Sequence, residues 1–166
     1  MKKIICLFIT FILLTSLNSC AGYKPVYTTN LQFEIDDYTI KGNKKIGNQI
    51  YSKLYNLSKS SVGDNNKNTQ SILIIIETNK NKSATAKDNA GKILGYKITL
   101  NSTIKINDYL TNDEILNQSF SYSSAYTVQD QYSETIKLEN KNIDNLINKI
   151  YQNLLIRMSE EMTTQW

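Results

Sequence analysis

The 166 residues include no histidine, a single proline, two cysteines and six glycines. Without an imidazole there is no Ser-His-Asp or Cys-His machinery, and the commonest nitrogen ligand for a metal ion is missing. No Gly-rich phosphate cradle, nucleophile elbow or metal-ligand spacing occurs either. The expectation is a protein that is not an enzyme, with no catalytic residues, no cofactor and no metal. A strong charge of one sign is lacking too: 19 Lys and Arg stand against 15 Asp and Glu, for a net +4. Loss of Lys2 and Lys3 with a leader would leave about +2, too little to imply a nucleic-acid partner.

Long apolar runs are scarce as well. Ile4 to Leu14 follows the basic start Met1-Lys2-Lys3, and it is about half the roughly 20 residues that cross a bilayer. It reads as the core of a signal peptide. Leu17-Asn18-Ser19-Cys20 then resembles a bacterial lipobox, which implies cleavage before Cys20 and a diacylglyceryl thioether on its sulfur. The expected organisation is a lipoprotein-type signal peptide over 1–19, a lipidated tether over 20–30 and one α+β domain over 31–166. Cys6 would leave with the leader and Cys20 would carry lipid, so no disulfide within one chain is expected. Ala21, where an Asp would favour retention in the inner membrane of enteric bacteria, points to the outer membrane. With ~0.8 kcal/mol per buried methylene, several acyl chains together hold firmly.

Further along, Pro25 fixes an extended backbone together with Lys24. Leu31 to Ile40 reads as a strand in which Phe33 and Ile35 share one parity and Tyr38 and Ile40 the other. Asp36-Asp37 at the crossover suggests a bulge or an edge position. As neighbours in a strand these two carboxylates point to opposite faces, so they cannot act as an acid–base pair. Ile46, Ile50, Leu54 and Leu57 recur at helical spacing behind Asn43, a candidate N-cap. Ser58 to Gln70 is polar and aperiodic, hence a loop.

Ser71 to Asn79 contains the run Ile72-Leu73-Ile74-Ile75-Ile76, which predicts a central strand buried on both faces. Lys80 to Lys92 is expected to be a flexible loop, with Gly91 as a turn signal. Leu94 to Asn107 alternates cleanly: Tyr96, Ile98, Leu100, Ile104 and Ile106 on one face, and Lys97, Thr99, Asn101, Thr103 and Lys105 on the other. Thr111-Asn112-Asp113 is a hairpin turn into a strand from Glu114 to Tyr126. Asp130 can cap a final helix reaching about Met162, with the stripe Ile136, Ile143, Ile147, Ile150, Leu154 and Met158. The expected fold is a two-layer α+β sandwich, ordered β-α-β-β-β-α. Its four-stranded sheet, mostly antiparallel or mixed, carries both helices on one face.

Cys20 followed by Gly22-Tyr23-Lys24-Pro25-Val26-Tyr27 is similar to the opening of the lipopolysaccharide-assembly lipoprotein LptE family, Cys-Gly-[Tyr/Phe]-[Lys/Arg]-Pro-[Leu/Ile/Val]-Tyr. Ala21 inserts one residue into the usual spacing. A short helix after strand one, and Tyr122-Ser123-Ser124-Ala125-Tyr126 before a long amphipathic helix, extend the resemblance over most of the mature chain. It implies a plug inside the outer-membrane β-barrel LptD, assisting barrel assembly and the delivery of lipopolysaccharide to the outer leaflet. Because barrel lumens are polar, the face bearing Lys97, Thr99, Asn101, Thr103 and Lys105 becomes the candidate barrel contact, with the 11 tyrosines as amphipathic anchors.

Lys80, Lys82 and Lys87 are the candidate contact for lipid A phosphates, since ammonium groups are good point-charge partners for phosphate. A solvated polar turn explains the same lysines, as edge-blunting explains Lys97 and Lys105. Two other functions fit an anchored chain without catalytic residues. One is an auxiliary lipoprotein of an ABC-type intermembrane lipid transporter, and the other is a structural envelope lipoprotein bound to peptidoglycan.

Overall fold

A computed structural model describes residues 31–61 and 69–163. The expected signal peptide, the tether and Cys20 lie outside the described residues. Element order follows the expected β-α-β-β-β-α: β1 is Phe33–Gly42, α1 Lys44–Ser61, β2 Gln70–Lys87, β3 Ile93–Asp108, β4 Glu114–Thr127 and α2 Tyr132–Thr163. The sheet is ordered β1-β2-β3-β4. Only β1 pairs in parallel, with β2, because α1 carries the chain back to the starting end; the other two pairings are antiparallel.

The bulge at Asp36 follows directly from the pattern of apolar residues. Ile35 pairs with Ile72 and Asp37 with Leu73, leaving Asp36 as the extra residue. That one-residue slip turns Phe33 and Ile35 before it, and Tyr38 and Ile40 after it, to the same helix-covered side. Gly42 then ends the strand at φ +73°, where an added Cβ would lie 2.1 Å from the Thr78 carbonyl oxygen. Asn43 caps α1 as expected: its Oδ1 accepts from the Ile46 N–H at 3.2 Å. Thr78 holds the cap in place, accepting from the Asn43 N–H and donating its hydroxyl to the Asn43 carbonyl, each at 2.8 Å.

The core lies between the sheet and both helices. Ile46, Ile50 and Leu54 of α1 and Ile147, Ile150, Leu154 and Met158 of α2 meet Ile72, Ile74, Ile76, Ile98, Leu100, Ile104 and Ile106 in a single buried cluster. Gly47 lets α1 sit close on β1, since a Cβ there would be 2.4 Å from the Ile40 Cγ2.

Four expectations need correction. The loop placed at Lys80 to Lys92 is strand as far as Lys87, paired with β3 through register shifts around Thr85 and Ala86, and only Asp88–Lys92 turns. A polar strand shows no hydrophobic alternation, so the ladder is invisible until β3 lies beside it. Helix α1 continues through Ser58 to Ser61 because Ser58 and Ser60 bond back to the carbonyls of Tyr55 and Leu57 instead of breaking the helix. Strand β2 is central but is not buried on both faces: Leu73 and Ile75 are half-covered on the side without helices. Finally, α2 begins at Tyr132, and its first amide hydrogen bonds run to the Gln131 carbonyl, not to an Asp130 side chain.

Candidate functional site

The side of the sheet without helices is a nearly uniform polar surface. Register aligns Asn81, Thr99 and Ser123 in one row, Asn79, Asn101 and Ser121 in the next, and Glu77, Thr103 and Ser119 in a third. Thus Lys97, Thr99, Asn101, Thr103 and Lys105 share one face, as their alternation predicts, and each is exposed or half-exposed. Cross-strand bonds fasten the surface: Ser121 donates to Asn101 Oδ1 at 2.7 Å, and Thr103 and Ser119 share a hydroxyl contact at 2.9 Å. Lys105 is 2.7 Å from Glu114, so its charge is already compensated. The described tyrosines are elsewhere. Tyr38, Tyr96, Tyr122 and Tyr126 all fall on the helix-side parity of their strands, which corrects their expected part in the polar face.

On the helix side, at the far end of β2, a charged cluster interrupts the apolar layer. Glu139 of α2, only 9% exposed, receives Lys82 Nζ at 2.6 Å and the Tyr126 hydroxyl at 2.7 Å on the same oxygen. Lys80 approaches the other oxygen at 3.5 Å. The Lys82 ammonium also lies 4.1 Å from the Tyr96 ring centroid, so its charge is shared between a carboxylate and a π-face. Burial would lower the Lys82 pKa, yet Glu139 and Tyr126 outweigh burial and raise it above the ordinary lysine value. For Glu139, burial pulls upward, and the bonds from Lys82 and Tyr126 with the nearby Lys80 charge bring it below the ordinary glutamate value. Burial pushes the Tyr126 hydroxyl upward, and its bond to Glu139 adds to that against the opposing Lys82 charge.

Lys80 and Lys82 are therefore strand residues engaged with a helix, not members of a mobile loop. Lys87 is separate from them, exposed at the end of β2. Beside Lys82 opens a cleft of about 640 Å³ whose lining includes Lys92, Ile93, Tyr96, Tyr132 and Ile136. It combines two ammonium groups with aromatic and aliphatic walls. Among the described residues, no three His, Cys, Asp or Glu side chains gather where a metal ion could sit.

Among the solved structures that share this fold are two bacterial lipoproteins. Uncharacterized lipoprotein B from Nitrosomonas europaea superposes with a TM-score of 0.59 at 15% identity, covering 86% of this chain and 93% of its own. A minor lipoprotein from Acinetobacter baumannii gives 0.54 at 15% identity, covering 78% of this chain and 93% of its own. No protein-family model and no curated protein matches the sequence. At that identity the likeness establishes the architecture, and side-chain roles rest on the geometry of this chain.

Sequence reasoning did not find Glu139 or Tyr126 as partners of Lys80 and Lys82. One signal was present: Glu139 lies three residues after Ile136 and four before Ile143, on the helix's own apolar stripe. A carboxylate there has to meet a buried cation.

Proposed function

We propose that the protein is an outer-membrane lipoprotein of lipopolysaccharide assembly. Anchored through Cys20, it plugs the LptD β-barrel, assists the assembly of that barrel and helps pass lipopolysaccharide to the outer leaflet, without performing chemistry. The observation that carries this reading is the polar sheet face. Three strands present Ser, Thr and Asn in aligned rows, with Lys105 neutralised by Glu114. A free-standing domain has no need of so wide and regular a hydrogen-bonding surface, whereas the wet, polar lumen of a large barrel is its complement. The lipobox resemblance, the Gly22–Tyr27 opening, and the fold held in common with the two lipoproteins support the same reading.

The lipopolysaccharide contact then falls to the end of β2. Lys82 and Lys92 flank a cleft whose walls mix Ile93, Tyr96 and Ile136 with Gln129, Asp130 and Thr135; the two ammonium groups and the apolar part suit a phosphate attached to acyl chains, and Lys87 extends the cationic rim. Lys80, turned toward Glu139, contributes chiefly to holding the cluster together.

Extraction of envelopes in mild detergent, followed by pull-down of the full chain and mass spectrometry, tests the proposal. A large outer-membrane β-barrel should co-purify in a defined ratio, and the mature N-terminus should be acylated at Cys20. Recovery of transporter subunits or of murein in place of a barrel would overturn the plug and favour one of the other two envelope functions.

A further inference from the structure

The starts of β1, β2 and β4 and the finish of β3 lie together at one end of the sheet. Gln70 donates its N–H to the Gln32 carbonyl at 3.4 Å, and Tyr109 donates to the Ser71 carbonyl at 2.9 Å. The point where the chain enters the fold at Leu31, itself 2% exposed, is thus about two strand spacings, or ~10 Å, from the β3–β4 turn. That turn carries the most exposed large apolar side chain among the described residues, Leu110 at 85%, next to Tyr109 at 50%.

This exposure is built in. Asp108 Oδ1 accepts from the N–H groups of Leu110 and Thr111, each at 2.9 Å. Gln70 Nε2 holds the other Asp108 oxygen at 3.2 Å, and Asn107 Nδ2 bonds the Asn112 carbonyl at 3.1 Å. Asn112 takes φ +62° to close the turn. A turn so fully bonded holds Leu110 away from the sheet, and among the described residues the side chain is left largely uncovered.

Resting on the anchor part of the preceding proposal, we infer that Tyr109 and Leu110 form a tip that docks the free lipoprotein on the bilayer holding its acyl chains. Leu31 follows Cys20 by 11 residues, a span of at most about 40 Å when fully extended, so the tether keeps this end of the domain within reach of the surface. Leucine beside tyrosine is the pairing suited to the interface: the aliphatic chain enters the acyl boundary and the phenol stays at headgroup level. Asp108 and Asp113 flank the tip, beside a Glu114 already paired with Lys105, and hydrogen bonds from Thr111 and Gln70 keep the Asp108 carboxyl below its ordinary pKa. Its preferred surface is accordingly zwitterionic, not anionic. Docking by this end directs Lys82, Lys87 and Lys92, at the opposite end of the sheet, away from the leaflet.

The full chain, expressed with its leader and carrying Trp166→Phe to remove the one native tryptophan, provides the test. Leu110→Trp is compared with Tyr132→Trp, a site of similar exposure (79%) beside the cleft at the far end. Each protein is reconstituted into phosphatidylcholine vesicles with and without bromine on the acyl chains. Leu110→Trp should emit at shorter wavelength and lose roughly half its intensity to bromine, while Tyr132→Trp should be unaffected. An acylated protein whose Leu110→Trp stays unquenched, or in which both sites are quenched equally, overturns the docking and leaves the anchor standing. An intact mass without acyl chains overturns the anchor, and this inference with it.

Discussion

Lys82 and Glu139, 57 residues apart in the chain, meet at 2.6 Å across the seam between β2 and α2. The contact fastens the polar extension of β2 to the long helix. Glu139→Ala leaves Lys82, Lys80 and the Tyr126 hydroxyl without their acceptor. It should cost about 1–2 kcal/mol in urea denaturation, the lysines' partial exposure moderating the loss. Glu139→Gln, which can still accept from Tyr126, should cost less.

The same pair sets a pH signature. The Glu139 pKa is lowered on folding, so its contribution is complete above the ordinary glutamate value of 4.5 and fades as pH falls through the folded value. The Lys82 and Tyr126 values are raised, so their contributions are complete below the ordinary values and fade only in strong alkali. The stability difference between wild type and Glu139→Gln should therefore be flat through neutral pH and shrink on acidification. A difference that grew below the glutamate range would contradict this linkage.

Gly42→Ala should destabilise by about 2 kcal/mol or more, because alanine is strained at positive φ and its Cβ would collide with the Thr78 carbonyl. Thermal unfolding measures it. Since Thr78 also holds the Asn43 cap, an accompanying loss of helical circular dichroism is expected.

Lys87→Ala and Lys82→Ala should separate binding from stability. Lys87 is exposed at the end of β2, so its removal should leave stability within about 0.5 kcal/mol while weakening lipopolysaccharide binding and flattening the salt dependence of that binding. Lys82→Ala should lower both stability and binding. Equal binding by wild type and by a Lys82→Ala, Lys87→Ala, Lys92→Ala triple variant would remove the cationic rim from the mechanism.

Thr99→Arg places a long charged side chain in the middle of the polar face. Stability should change by no more than about 0.5 kcal/mol, since the site is half-exposed and away from the core. Recovery of the barrel in pull-downs should fall sharply. Undiminished recovery would mean that the partner does not press on this face.

Where a segment's conformation follows from its own apolar spacing, it was legible in advance. Ile46, Ile50 and Leu54 announce α1, the alternation from Tyr96 to Ile106 announces β3, and the parity change around Asp36 announces the bulge. The polar rows at Thr99, Asn101 and Thr103 were legible for the same reason, as the complement of a buried face. Lys80 to Lys87 was not. One of its parities carries only the small apolar residues Ala84 and Ala86 beside Lys80 and Lys82, so hydrophobic alternation is too weak to distinguish that strand from a loop.

Local chemistry alone dictates the order of the elements, the residues that enter the core and the Asn43 cap, because each depends on neighbours within a few positions. Long-range pairing decides the rest. The parallel docking of β1 on β2, the capture of Lys80 and Lys82 by Glu139, and the gathering of Leu31 with Tyr109 and Leu110 at one end all require strands distant in the chain to settle into register. A polar side chain declares its partner only once that register brings the two together, since its desolvation has to be compensated by whatever the fold places opposite it.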